Sequence, residues 1–181
     1  MPLYVALLRG INVGGKGLIK MADLKACFED RGFENVATYI ASGNVLFESP
    51  ERSATKLTQG VEKMLAGTFG WDITVVLRSR TQMRNVVEQA PRGFGSQPAR
   101  YRSDAIFLKP PLRSAAVLKD VPTKPGVDQA YAGPGVLYFS RLTSKASSSR
   151  LGRIISMPIY KSMTIRSWST TVKLVELIDG P

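Results

Sequence analysis

The 181-residue chain has no histidine and only one cysteine, Cys27. Without an imidazole, Ser-His-Asp and Cys-His nucleophilic systems are excluded. A zinc site would have to rely almost wholly on carboxylates. Any acid–base chemistry falls to Asp, Glu, Lys, Tyr or water, and neither a metal nor a cofactor is expected. One cysteine allows no internal disulfide, which fits a reducing, cytoplasmic setting. No apolar run approaches the roughly 18–20 residues that span a bilayer, so no membrane partner is expected. The opening MPLYVALLRG has no leading positive charge and a short apolar run, so it does not read as a signal peptide.

Acidic side chains are missing from one long stretch. No Asp or Glu occurs from Gln129 to Val175, a region that holds Arg141, Lys145, Arg150, Arg153, Lys161, Arg166 and Lys173. The net charge of +11 is therefore uneven: residues 1–90 carry 11 basic and 9 acidic side chains, residues 91–181 carry 14 and 5. A surface of one sign attracts polyanions such as nucleic acid, anionic lipid or phosphorylated ligands. Compositional bias toward Arg is the competing explanation.

What is present reads as a globular chain. Hydrophobic residues make up 44%, enough for a real core in one sizeable domain or two small ones. Leu3–Leu8 is a short apolar run, read as a buried strand. Met21, Leu24, Cys27 and Phe28 recur at helical spacing, and Gly32 supplies a C-cap, which predicts a helix over about 20–31. Val36–Ile40 and Val45–Glu48 read as strands joined by ASGN, in which Gly43 and Asn44 tolerate positive φ. Ser49–Pro50 reads as the start of a second helix, with Ser as cap and Pro at the first position. Ile73–Leu77 closes a β-α-β-β-α-β order, the ferredoxin-like pattern. Ser79 and Gln82 then suggest a capping box for a third helix. PRGFGSQPAR, 91–100, is a Gly/Pro-rich linker candidate. Beyond it come a strand at Ala105–Leu108, a helix at Pro111–Leu118, a hairpin at Val127–Ala132 and Val136–Ser140, a helix starting at Leu151–Ser156 that Pro158 must end or restart, a short strand at Thr164–Arg166 and a terminal helix. The expected architecture is α+β: two ferredoxin-like (alpha–beta plait) units with antiparallel sheets and helices on one face, covering 1–79 and 80–181.

RGINVGGKG, 9–17, spells a phosphate-binding loop up to its last letter. Gly17 stands where the magnesium-ligating hydroxyl belongs, GLIK separates Lys16 from the helix, and no run of four apolar residues is followed directly by Asp. The NTPase reading fails on each count. The glycines then serve a strand-to-helix connection, or their amides form an anion nest beside Arg9 and Lys16.

The segment 4–49, from YVALLRGINVGGKG to TYIASGNVLFES, resembles the N-terminal signature of a widespread bacterial family of unknown function. MTIRSWSTTVKLVEL, 163–177, is similar to that family's closing motif. The resemblance implies two ferredoxin-like plaits and brings no activity, cofactor or catalytic residue. The sequence departs from the family pattern at Gly17, usually polar, and at Ser167 and Ser169, where two Asn usually flank Trp168.

Three groups of candidate ligand-binding residues follow from the motifs. The first is Arg9, Asn12, Gly14, Gly15 and Lys16; the second is Ser42, Gly43 and Asn44, for which a hairpin turn is the simpler reading. The third is Arg150, Arg166 and Trp168, where core packing of the tryptophan competes with a cation and a π surface offered to a ligand. Three functions stay open: a binding module for anionic ligands, with nucleic acid or a phosphorylated metabolite contacted through the basic C-terminal half; a small-molecule enzyme acting on an anionic substrate between the halves without His or metal; and a protein-interaction scaffold.

Overall fold

The computed structural model describes residues 1–180 and divides into two units, Met1–Thr81 and Gln82–Pro181. In the first unit, β1 (Leu3–Leu8) leads through a glycine-rich loop to α1 (Met21–Asp30). There follow β2 (Glu34–Tyr39), β3 (Asn44–Glu48), α2 (Ala54–Phe69) and β4 (Val75–Ser79). The strands form one antiparallel sheet in the order β2-β3-β1-β4, the ferredoxin-like arrangement.

Side-chain alternation puts Tyr4, Ala6 and Leu8 of β1 into one core with Val45, Phe47, Val75 and Leu77. Leu24, Cys27 and Phe28 of α1 and Leu57, Val61 and Leu65 of α2 cover it. Val5, Leu7, Leu46 and Val76, on the other face, are buried too. Burial of both faces explains why β1 reads as a continuous apolar run rather than an alternating one.

The second helix starts later than Ser49–Pro50 suggests. Ser53 is its cap, accepting from the Lys56 amide at 3.3 Å. Ser49 is instead buried, its amide donating to the Pro2 carbonyl and its hydroxyl accepting from the Glu51 amide. The local cap signal loses to the pairing that ends β3.

The second unit repeats the scheme. After α3 (Arg80–Glu88), which begins at the end of the first unit, come β5 (Tyr101–Leu108), α4 (Ser114–Leu118), β6 (Asp128–Gly133) and β7 (Val136–Leu142). Short helical pieces, a 3-10 turn at Thr143–Ser148, α5 (Leu151–Ile155) and another 3-10 turn at Pro158–Ser162, lead to β8 (Met163–Ser167) and α6 (Trp168–Asp179). The sheet order is β6-β7-β5-β8, all antiparallel. Ile106, Leu108, Leu137, Phe139 and Met163 meet Val117, Leu151 and Ile154 on the helical side. Residues 91–100 belong to this unit rather than linking two. Among the described residues, no helix is long and apolar enough to cross a membrane.

Candidate functional site

The loop after β1 is a small finger. Val13 and Lys16 exchange both backbone hydrogen bonds, at 3.1 and 3.0 Å, and the Asn12 amide donates to the Gly17 carbonyl. Gly14 and Gly15 form the two-residue tip with φ of +59° and +76°, the signature of a type I′ turn. The amides of Asn12, Val13 and Lys16 are thereby committed to the finger's own ladder. Lys16 ends it, four residues short of α1.

Asn12 holds the finger's base. Its Nδ2 donates to the Ile19 carbonyl at 3.0 Å and to the Ala41 carbonyl at 2.8 Å, while its Oδ1 accepts from the Ile19 amide at 2.8 Å. The Leu8 amide donates to the Gly43 carbonyl, and the Arg9 amide to that of Thr74. The first two candidate groups therefore meet at one end of the first unit.

The turn between β2 and β3 differs from the expected one. Gly43 has φ +90°, but the second left-handed residue is Ile40 (φ +52°), not Asn44. Asn44 is fully buried as the first residue of β3. Its Nδ2 donates to the Tyr39 carbonyl and to the Ser42 hydroxyl, closing the turn from inside. A β-branched residue in the left-handed region is strained, and that strain falls on Ile40 because Asn44 is needed in the strand.

The third group does not form one cluster around its arginines. Arg150 donates from its amide to Asp128 Oδ2 (2.8 Å) and from a guanidinium nitrogen to the Thr123 carbonyl (3.0 Å). Buried Asp128 also accepts from the Lys124 amide and the Ser149 hydroxyl, so Arg150 belongs to a brace that ties two loops to the start of β6. Arg166 is buried in β8 and donates to Thr164 Oγ1 (2.7 Å) and the Ile165 carbonyl (3.0 Å). Burial pushes its pKa down to about 10, which leaves it charged at neutral pH; Arg78 at the end of β4 is buried and shifted in the same way. Ser167 caps α6, accepting from the Thr170 amide.

Trp168 has a different task. Its indole stands edge-on to Phe94 (centroids 5.0 Å apart) and to Tyr138 (6.0 Å). Tyr138 donates its hydroxyl to the Val86 carbonyl at 2.6 Å, and burial pushes its pKa up to about 12. This aromatic cluster pins residues 91–97 over the face of the sheet opposite α4 and α5.

Beneath that segment lies a half-open cavity of about 130 Å³. Its floor is a polar row across three strands: Gln129 of β6 opposite Ser140 of β7, opposite Ser103 of β5. Tyr101 and Tyr131 flank the row, and Arg92, Phe94 and Gln97 come from the roof. The cavity exists because serines take the place of the large rings, Tyr138 and Phe107, that fill the same face further along the strands. These cavity residues do not stand out in the sequence. Ser103 lies between Arg102 and Asp104, and Ser140 ends an apolar run just before Arg141, so neither marks a site locally.

Asp104 lies on the helical side of β5. Burial raises its carboxyl pKa, with Arg141 and Arg102 pulling the other way. The folded chain then holds this proton more tightly than the unfolded one, so the group favours folding at acid pH and that contribution fades as pH rises through the folded value. Asp104→Asn is expected to raise the urea midpoint at pH 7, and the gain is expected to vanish below the unfolded carboxylate value of about 3.9. Urea melts at the two pH values check both.

No curated protein matches the chain. Among solved structures, the conserved bacterial protein SP0830 from Streptococcus pneumoniae is similar, with 27% identity, 98% of each chain covered and a TM-score of 0.85. Residues 1–138, which include both the finger and the Asn12 staple, match the model of a family described as protein of unknown function (DUF1697). The match covers well over half of the chain, and the chain therefore belongs to the DUF1697 family.

Proposed function

We propose that the protein is a binding module for anionic ligands, nucleic acid foremost, acting through its second unit. One observation carries this reading. Among the described residues of that unit, ten Lys and Arg side chains are exposed against four Asp and Glu (Glu88, Asp120, Glu176 and Asp179). In the first unit the numbers are seven and five. Composition alone would spread the excess over both units; here it is concentrated on one.

Within that unit, Lys145, Arg153 and Lys161 sit exposed on successive short helical pieces between β7 and β8, with no acid between residues 129 and 175. Exposed cations of this kind favour sequence-independent contact with phosphates. Many plaits bind RNA on the open sheet face. In the first unit the corresponding residues, Val5, Leu7 and Val76, are apolar and buried, so the reading rests on loops and crossovers instead.

The test is fluorescence anisotropy with a labelled single strand over a salt series. Each single-strand phosphate contact contributes about 0.7 to the slope of log K against log salt. The triple variant Lys145→Glu, Arg153→Glu, Lys161→Glu is expected to reduce the slope by about 2. An absence of binding by the unaltered protein at low salt would overturn the reading.

A further inference from the structure

We infer that the cavity under residues 91–97 takes a single pyrimidine base bearing a phosphate. The inference rests on the anion-binding reading and names the ligand's chemistry.

Size comes first. A cavity of about 150 Å³ accepts one six-membered aromatic ring. At about 130 Å³ this one matches a single ring in size. The walls are suited to a flat ring: Phe94, Tyr101 and Tyr131 all line the space, and aromatic side chains bind unstacked bases through their faces.

The floor supplies the hydrogen bonds. Ser103 and Ser140 are directly opposed in the ladder and Gln129 is opposed to Ser140, so their side chains emerge from one face in a line. Two hydroxyls and an amide can each donate and accept, as the alternating edge of a pyrimidine requires. Ser140, only 7% exposed, lines the cavity with Ser103, so a ligand seated on the floor meets both hydroxyls.

Charge is placed at the rim. Arg92 lines the cavity, and the Arg100 guanidinium stands 5.3 Å from the centroid of the Tyr101 ring. Both are exposed, so either can reach a phosphate outside a base held within. Guanidinium is suited to that pairing.

The experiment compares four probes against the whole protein: a uridine decamer, an adenosine decamer, an abasic strand of equal length and charge, and uridine monophosphate. The uridine strand is expected to bind about tenfold more tightly than the abasic strand, with the adenosine strand close to the abasic one. Ser103→Leu, which fills the floor, is expected to erase the uridine advantage and leave abasic binding unchanged. Equal binding of the uridine and abasic strands, with no binding of the monophosphate, overturns the inference and leaves the anion-binding reading intact. Absence of abasic binding with binding of the monophosphate supports the inference, assigns the cavity to a free nucleotide rather than a strand, and overturns only the nucleic-acid part of the anion-binding reading. A preference for adenosine, or a uridine advantage that survives Ser103→Leu in a folded variant, also overturns it. The wild-type base preference requires no variant, so misfolding of Ser103→Leu leaves a decisive measurement.

Discussion

Gly95→Ala is expected to cost about 2–5 kcal/mol of unfolding free energy. Two independent costs combine. Gly95 has φ +74°, a region that costs an L-residue about 1–2 kcal/mol. A Cβ at this position would also fall inside the Trp168 indole, with Nε1 at 2.6 Å. Neither party can yield easily, because Trp168 is wedged between Phe94 and Tyr138. Overpacking of this kind typically costs about 1–3 kcal/mol. Against a total stability of about 5–15 kcal/mol, the loss would show as a large drop in the urea midpoint. In a Trp71→Phe background, tryptophan emission reports Trp168 alone, and a red shift at zero denaturant is expected as the roof segment lifts. An unshifted spectrum with an unchanged midpoint would contradict the packing.

Asn12→Ala is expected to cost about 3 kcal/mol. The side chain makes three hydrogen bonds, two through Nδ2 and one through Oδ1. Each contributes about 1 kcal/mol net, and losing the side chain strands carbonyls and an amide in a half-buried place. The backbone adds to this: Asn12 has φ +54°, which asparagine tolerates better than alanine. Asn12→Asp keeps the Oδ1 acceptor for Ile19 and loses both Nδ2 donations. Its second carboxylate oxygen then faces the Ile19 and Ala41 carbonyls, so urea denaturation is expected to place it no higher than Asn12→Ala.

Much of the fold can be read from local pattern. The first helix, both hairpins and the break at Pro158 follow from periodicity and turn chemistry, whose causes lie within a few residues. What cannot be read this way has a distant cause. Residues 91–100 carry the Pro and Gly density of a linker. They fold because Phe94 and Gly95 meet Trp168, far along the chain. The left-handed residue of the β2–β3 turn is Ile40 rather than Asn44 because β3 needs a buried amide to close the turn, which no propensity expresses. The polar floor of the cavity is equally invisible in one dimension. Ser103, Gln129 and Ser140 belong to three strands and become neighbours only through register. The motif letters of 9–17, by contrast, are conspicuous in the sequence, yet in the fold they build a turn and an asparagine staple.

The glycine finger at 13–16 has a practical side. Its tip is two exposed residues on a two-strand stalk whose hydrogen bonds close on themselves, and Asn12 anchors the stalk below the bend. A peptide spliced between Gly14 and Gly15 would travel outside the core, so this point is a natural port for an epitope or a fluorophore. A label carried there would report on the first unit.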